Sequence, residues 1–318
     1  MKQKVGRPEK LIPAILMMGM FLFNAFQSEA QLGPNTLQGP GIAINADYMP
    51  ASRYIRPEDS VKTRSTTTIK RLSMGAAFNL ATVKDTSTGK FRQWTLGLRG
   101  SYMDLRNEKY ENVIMPEKLL GADLALMHVR SLRNKWSIMM MASVGLYTDL
   151  EEIDNKDIFI NGGVLFVKQV NPRFSYGFGA VLTNSFGTPM VLPGLLASWN
   201  SGKKLRVNIS FPEQFKVSYN LNDFIETAIA VRMNGGAYDV EKRKDNRRLM
   251  GYKELTAGWE NSFHVSKRFS INVAAGGALL RSVDFRRKSL SEMFKTQPEH
   301  RLATGLFASA GLRMHFNQ

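Results

Sequence analysis

The chain has 318 residues, no cysteine, 43 basic and 27 acidic side chains, and a formal net charge of +16. Without cysteine there is no disulfide framework, no thiolate metal site and no lipoprotein anchor. A mean hydropathy of −0.22 excludes a bundle of membrane helices, but not a β-barrel, whose inward face dilutes the average.

Residues 1–30 predict an export signal. Lys2, Lys4, Arg7 and Lys10 precede an apolar run of 16 residues, 11–26. That is short for a spanning helix, which needs about 20. Ser28-Glu29-Ala30 then places small residues at both cleavage positions, ahead of Gln31. Export also removes nucleic acid as a partner, despite the positive charge. Residues 31–39 are turn-rich and predict a short periplasmic lead-in to a barrel spanning 40–318.

From residue 40 the chain is a series of alternating runs. In 69–81, Leu72, Met74, Ala76, Phe78 and Leu80 oppose Arg71, Ser73, Gly75, Ala77 and Asn79. In 91–103, Trp94, Leu96, Leu98 and Tyr102 oppose Gln93, Thr95, Gly97, Arg99 and Ser101. In 173–182, Phe174, Tyr176, Phe178 and Ala180 oppose Ser175, Gly177 and Gly179. Period two puts one set on each face of a strand, whereas a helix would repeat every three or four positions.

Fourteen such runs are expected, at 40–49, 67–82, 90–104, 118–131, 135–148, 157–169, 173–184, 189–200, 203–211, 214–220, 223–235, 250–264, 268–283 and 299–316. Only Pro212-Glu213 separates 203–211 from 214–220, which leaves open one bent strand there. Short turns near 84–89, 131–134, 170–172, 200–203, 220–223 and 265–267 alternate with longer breaks near 50–66, 105–117, 149–156, 184–189, 236–249 and 284–298. Barrels of the outer membrane keep short turns inside and long loops outside. The predicted fold is all-β: a transmembrane antiparallel up-and-down β-barrel of about 14 strands, within a range of 12–16.

The last run has one greasy parity, Leu302, Thr304, Leu306, Ala308, Ala310, Leu312, Met314 and Phe316, and one small or polar parity. Ser309, Gly311, Met314 and Phe316 resemble the C-terminal assembly signal of Gram-negative outer-membrane barrels. Asn317 and Gln318 depart from it, because many members end on the aromatic. Over 40–318 the chain is similar to uncharacterised Gram-negative outer-membrane β-barrel proteins. The resemblance implies a fold, an outer-membrane location, and as partners membrane lipid and the barrel assembly machinery. It implies no reaction.

Arg71, Arg99, Asp123, Arg232, Glu254 and Glu260 fall on the inward parity. They would line a pore, or pair across a filled interior; charge on the lipid face instead would cost about 2–4 kcal/mol at the midplane. The four histidines, His128, His264, His300 and His315, lie in no catalytic motif, and no phosphate loop or metal motif is present. No enzyme activity, cofactor or metal is expected. The acidic run 149–157, with Asp149, Glu151, Glu152, Asp154 and Asp157, is acidic enough to attract a divalent cation, but reads first as an ordinary solvated loop. Basic clusters in 239–248 and 286–288 suit lipopolysaccharide phosphates or simple solvation. The expected function is a passive pore or solute-uptake channel of unknown solute. The alternative is a structural or interaction barrel in envelope assembly or secretion.

Overall fold

The structure is a computed structural model and describes residues 40–85, 87–184, 189–241, 247–288, 295 and 297–316. The predicted export signal and lead-in lie outside the described residues. The chain forms β1 (Gly41–Ile55), β2 (Lys62–Lys84), β3 (Phe91–Glu108), β4 (Lys118–Ser131), β5 (Trp136–Thr148), β6 (Ile158–Asn171) and β7 (Phe174–Thr183). It continues with β8 (Met190–Asn200), β9 (Leu205–Phe211), β10 (Gln214–Asn220), β11 (Ile225–Asp239), β12 (Leu249–His264), β13 (Phe269–Arg286), β14 (His300–Leu302) and β15 (Gly305–His315). Both β14 and β15 lie between β1 and β13, so they make one stave broken at residues 303–304. Neighbours in sequence pair antiparallel, and β1–β15 closes the sheet into a barrel of fourteen staves.

The alternation read from the sequence decides which face is which. Inward residues are buried and outward ones exposed along most of β1 to β5. Leu98, Leu124, Val144 and Ile160 stand side by side in register on the outside, 45–66% exposed. An apolar ring of this kind is stable only against hydrocarbon, so the barrel crosses a membrane and contacts its lipid. At the short-turn end an outward band of aromatics, including Trp94, Trp199 and Tyr219, marks the interface. The protein is therefore an outer-membrane barrel, with both chain ends of the wall and six short turns on the periplasmic side, while the two-residue β9–β10 turn lies on the outer side. Leu124→Arg is expected to destabilise the barrel by about 2–4 kcal/mol, read as a lower urea midpoint in lipid vesicles.

Strand ends run past the expected bounds in β1, β2 and β3, and also in β11, which reaches Asp239, and β13, which reaches Arg286. β1 runs on through Pro50 to Ile55, and β2 starts at Lys62, so the first outer loop shrinks to 56–61. Proline fits because the β1–β2 register shifts between Met49 and Ser52, where the ladder is already interrupted. β3 extends to Glu108. Runs 203–211 and 214–220 are two strands, not one bent strand, joined by a tight turn at Pro212-Glu213.

Gly179 shows why glycines crowd the inward parity of β7. An added Cβ would fall on the Val164 carbonyl oxygen and 2.8 Å from Leu165 Cα, both backbone. Gly179→Ala is expected to lower stability by about 1–3 kcal/mol. Gly177→Ala, whose Cβ would meet the Val167 side chain as well as backbone, should cost less in the same urea titration.

Candidate functional site: the lumen and its collar

The staves are unequal in height, and this shapes the lumen. β9 and β10 have only seven residues each, whereas a spanning strand needs about 9–11. Gln214 pairs with Arg232, so Met233–Asp239 of β11 rises above the top of β10. That stretch of β11 has no β10 neighbour. Its free edge instead meets β5 across the mouth, where Asp239 and Thr148 pair in parallel. Asp149 N donates to Asp239 O at 3.2 Å, and Glu241 N donates to Asp149 Oδ2 at 3.0 Å. An unpaired edge buried without such a partner would leave polar backbone groups unsatisfied.

The result is a barrel of fourteen staves below and nine above, the upper nine being β11 to β13, the broken stave and β1 to β5. Barrels of about eight strands are just wide enough for side chains to fill. The collar is filled accordingly. Met49, Ile69, Leu105, Leu119, Tyr147, Ala237, Tyr238, Leu249, Met250 and Tyr252 form its apolar core. Both parities at the end of β11 are buried there, which no membrane-facing strand would show. The Tyr147 and Tyr238 rings meet edge to face at 5.9 Å.

Beneath the collar lies a polar layer. Arg71 Nη2 donates to Glu254 Oε1 at 2.9 Å, and Arg71 Nε donates to Asp47 Oδ2 at 2.7 Å. Tyr252 OH donates to Glu254 Oε2 at 2.5 Å. Glu254 has no solvent exposure. Arg232 pairs with Glu260, and Lys216 Nζ lies 3.7 Å from Glu260 and 3.4 Å from Glu226. Arg206 pairs with Glu226. Asp123 accepts from Tyr147 OH and, at 3.5 Å, from Ser143 Oγ. Arg99 sits opposite Asp123 in register, buried, with its Nε and Nη1 unpartnered among the described residues. A narrow pocket touches Asp47, Arg71, Arg232, Asn234, Glu254 and Glu260.

All six inward charges picked from sequence thus point into the lumen. Arg71 and Glu254 are brought together across it, whereas Arg232 and Glu260 meet between the neighbouring strands β11 and β12. Arg99 and Asp123 form a separate group on β3 and β4. Asp47, Lys216, Arg206 and Glu226 were missed. Asp47 carried a signal, being on the inward parity of β1 directly opposite Arg71. Lys216 did so too, as the inward charge of a short strand.

The inner surface of β4, β5, β6 and β8 carries an apolar patch. Val129, Met139, Leu165, Val167 and Leu196 cluster there. A small pocket reaches from Leu165, Val181 and Leu192 to Phe211 at the β9–β10 turn. This shoulder lies beside β9 and β10, outside the nine-stave collar.

The terminal-strand residues divide between faces. Ser309 and Gly311 point inward, and a Cβ added at Gly311 would fall on the Asn45 side chain and 3.0 Å from the Ile44 carbonyl oxygen. Met314 lies on the outward parity, and the Phe316 ring stacks on Phe78 at 5.5 Å. In the acidic outer loop, Asp154 accepts from Lys156 N and Asp157 from Asp154 N, both at 2.7 Å. Burial raises the Asp149 and Asp157 carboxyls above the ordinary range. Hydrogen bonding from Lys156 holds Asp154 below it. Among the described residues no cluster of His, Asp and Glu is disposed to hold a metal ion.

No curated protein matches the chain. Among solved structures, the COG4313 outer membrane channel from Pseudomonas putida F1 is similar at 9% identity and TM-score 0.39, over 89% of this chain and 98% of that one. The NanC porin is similar at 7% identity and TM-score 0.36, over 86% and 100%. The KdgM porin in complex with disordered oligogalacturonate is similar at 8% identity and TM-score 0.32, over 86% and 99%. The likeness is one of strand layout and carries no information about solute. A family model matches residues 26–315, nearly the whole chain, and the protein belongs to the family described as Domain of unknown function (DUF6268).

Proposed function

We propose that the protein is a passive channel for small solutes. The observation that carries this is the unequal wall. Fourteen staves enclose a chamber on the periplasmic side, the collar fills the mouth above nine of them, and the low β7–β10 flank leaves a shoulder. Polar charged walls below and apolar walls at the shoulder favour small amphipathic solutes over large hydrophilic ones. Arg71, Arg99, Asp123, Arg232, Glu254 and Glu260 would then set the charge preference of the chamber. Export by residues 1–30, recognition of β15 by the assembly machinery, and lipopolysaccharide at the outer basic loops belong to the same proposal.

The filled collar also favours a second reading, a structural or interaction barrel with no transport of its own. Planar-bilayer recording separates them. Folded parent protein should give small unitary currents, and trimming the shoulder with Leu165→Ala and Leu196→Ala should enlarge them. Silence from both proteins, with the heat-modifiable folded form intact, would leave the structural reading.

A further inference from the structure

The charge of this protein is unevenly placed. The six periplasmic turns, 85–90, 132–135, 172–173, 201–204, 221–224 and 265–268, carry eight basic and two acidic residues. The seven outer connections carry eleven basic and fourteen acidic. The basic excess of the connections therefore lies on the periplasmic rim. One part of that rim is shaped as well as charged. Between the β2–β3 and β4–β5 turns is a cleft of about 760 Å³ lined by Lys90, Phe91, Arg92, Arg130, Leu132 and Arg133.

Arg92 and Arg130 stand directly opposite each other in the β3–β4 register, both on the outward parity and exposed. Like charges facing each other across a sheet are destabilising unless something lies between them. Among the described residues none of the four cations has a partner. The one acid in the cleft, Asp85, is turned to its own loop: it accepts from Ser87 N at 2.9 Å and Thr88 Oγ1 at 2.6 Å.

Depth says what the cleft meets. Two residues further into the membrane, the Trp94 and His128 rings pack at 4.2 Å. Interfacial tryptophan sits at the level of lipid head groups. The guanidinium pair is thus one step outward, at the level of phosphate, with Leu132 and Phe91 beside it. Guanidinium binds phosphate oxygens in bidentate fashion, and anionic head groups attract such residues at the membrane surface. We propose that this cleft binds the phosphate of an anionic phospholipid of the inner leaflet.

The test uses the full barrel in vesicles of phosphatidylcholine alone and of phosphatidylglycerol and phosphatidylcholine in equal parts. Phosphatidylglycerol should raise the thermal midpoint of the parent, and high salt should reduce the rise. Arg92→Gln with Arg130→Gln should abolish it. Lys203→Gln with Lys267→Gln removes equal charge from the far side of the rim and should keep it. Equal loss in both double variants would reduce the effect to overall charge and overturn the site. The same rise from inorganic phosphate in pure phosphatidylcholine would make the ligand free phosphate, and overturn the lipid. Should the Arg92, Arg130 double variant not fold, Arg130→Gln alone is read by native mass spectrometry. Phosphatidylglycerol retained on it as on the parent would equally defeat the proposal.

Discussion

Glu254→Leu is expected to destabilise the folded barrel by about 3–5 kcal/mol. Glu254 has no solvent exposure and receives Arg71 at 2.9 Å and Tyr252 at 2.5 Å. Removing it leaves Arg71 buried with only Asp47 as a carboxylate partner. The penalty is that of a stranded charge, not the net worth of the pair. The double variant Arg71→Met, Glu254→Leu should therefore be less damaged than the two single costs added, because neither charge is stranded. Urea titration in vesicles measures all three. Additive losses would mean the two residues are uncoupled, contrary to the geometry.

Opening the collar should have the largest effect on conduction. Tyr238→Ala with Met250→Ala removes two side chains from the apolar core that holds the upper hairpin against β5. A filled nine-stave collar should then admit water, and the single-channel current should rise several-fold over the parent. The folded fraction, read by heat modifiability, serves as the control, since large-to-small changes in a core cost about 2–5 kcal/mol each. Unchanged current from well-folded variant protein would show that solute does not pass the collar.

The same junction should respond to pH. Asp149 and Asp157 carry carboxyls raised by burial where the closed β11–β12 hairpin meets β5. The closed form thus holds its protons to higher pH than an open, solvated one. Below the ordinary carboxylate range both forms are protonated and closure keeps its full stability. As pH rises through that range and past the raised values, closure weakens. Current should be lowest in acid and grow toward neutral pH, and Asp149→Asn with Asp157→Asn should flatten the profile.

The strand rhythm was legible because a period of two needs only neighbouring residues. Leu98 beside Arg99, or Phe178 beside Gly179, already states which side faces lipid and which faces the lumen. The fourteen-run count, the alternation of short and long connections, and the inward placement of the six charges follow from that local pattern. The bounds failed at Pro50, where a register shift rescued a residue that normally ends a strand.

Pairing among the inward charges was not legible. Arg71 and Glu254 are 183 positions apart, and only closure of the sheet brings them within 2.9 Å. Parity places a side chain inside but says nothing of what stands across the lumen. The collar was hidden for the same reason. Tyr238 falls in the break expected at 236–249 and Met250 opens the run after it, and Asp239 meets Thr148 only because β9 and β10 end early and leave the edge of β11 unpaired. The sequence by itself determined a barrel, its faces and its ends. Closure of the sheet decided that nine of its fourteen staves shut on themselves, since that depends on strand heights summed around the whole wall.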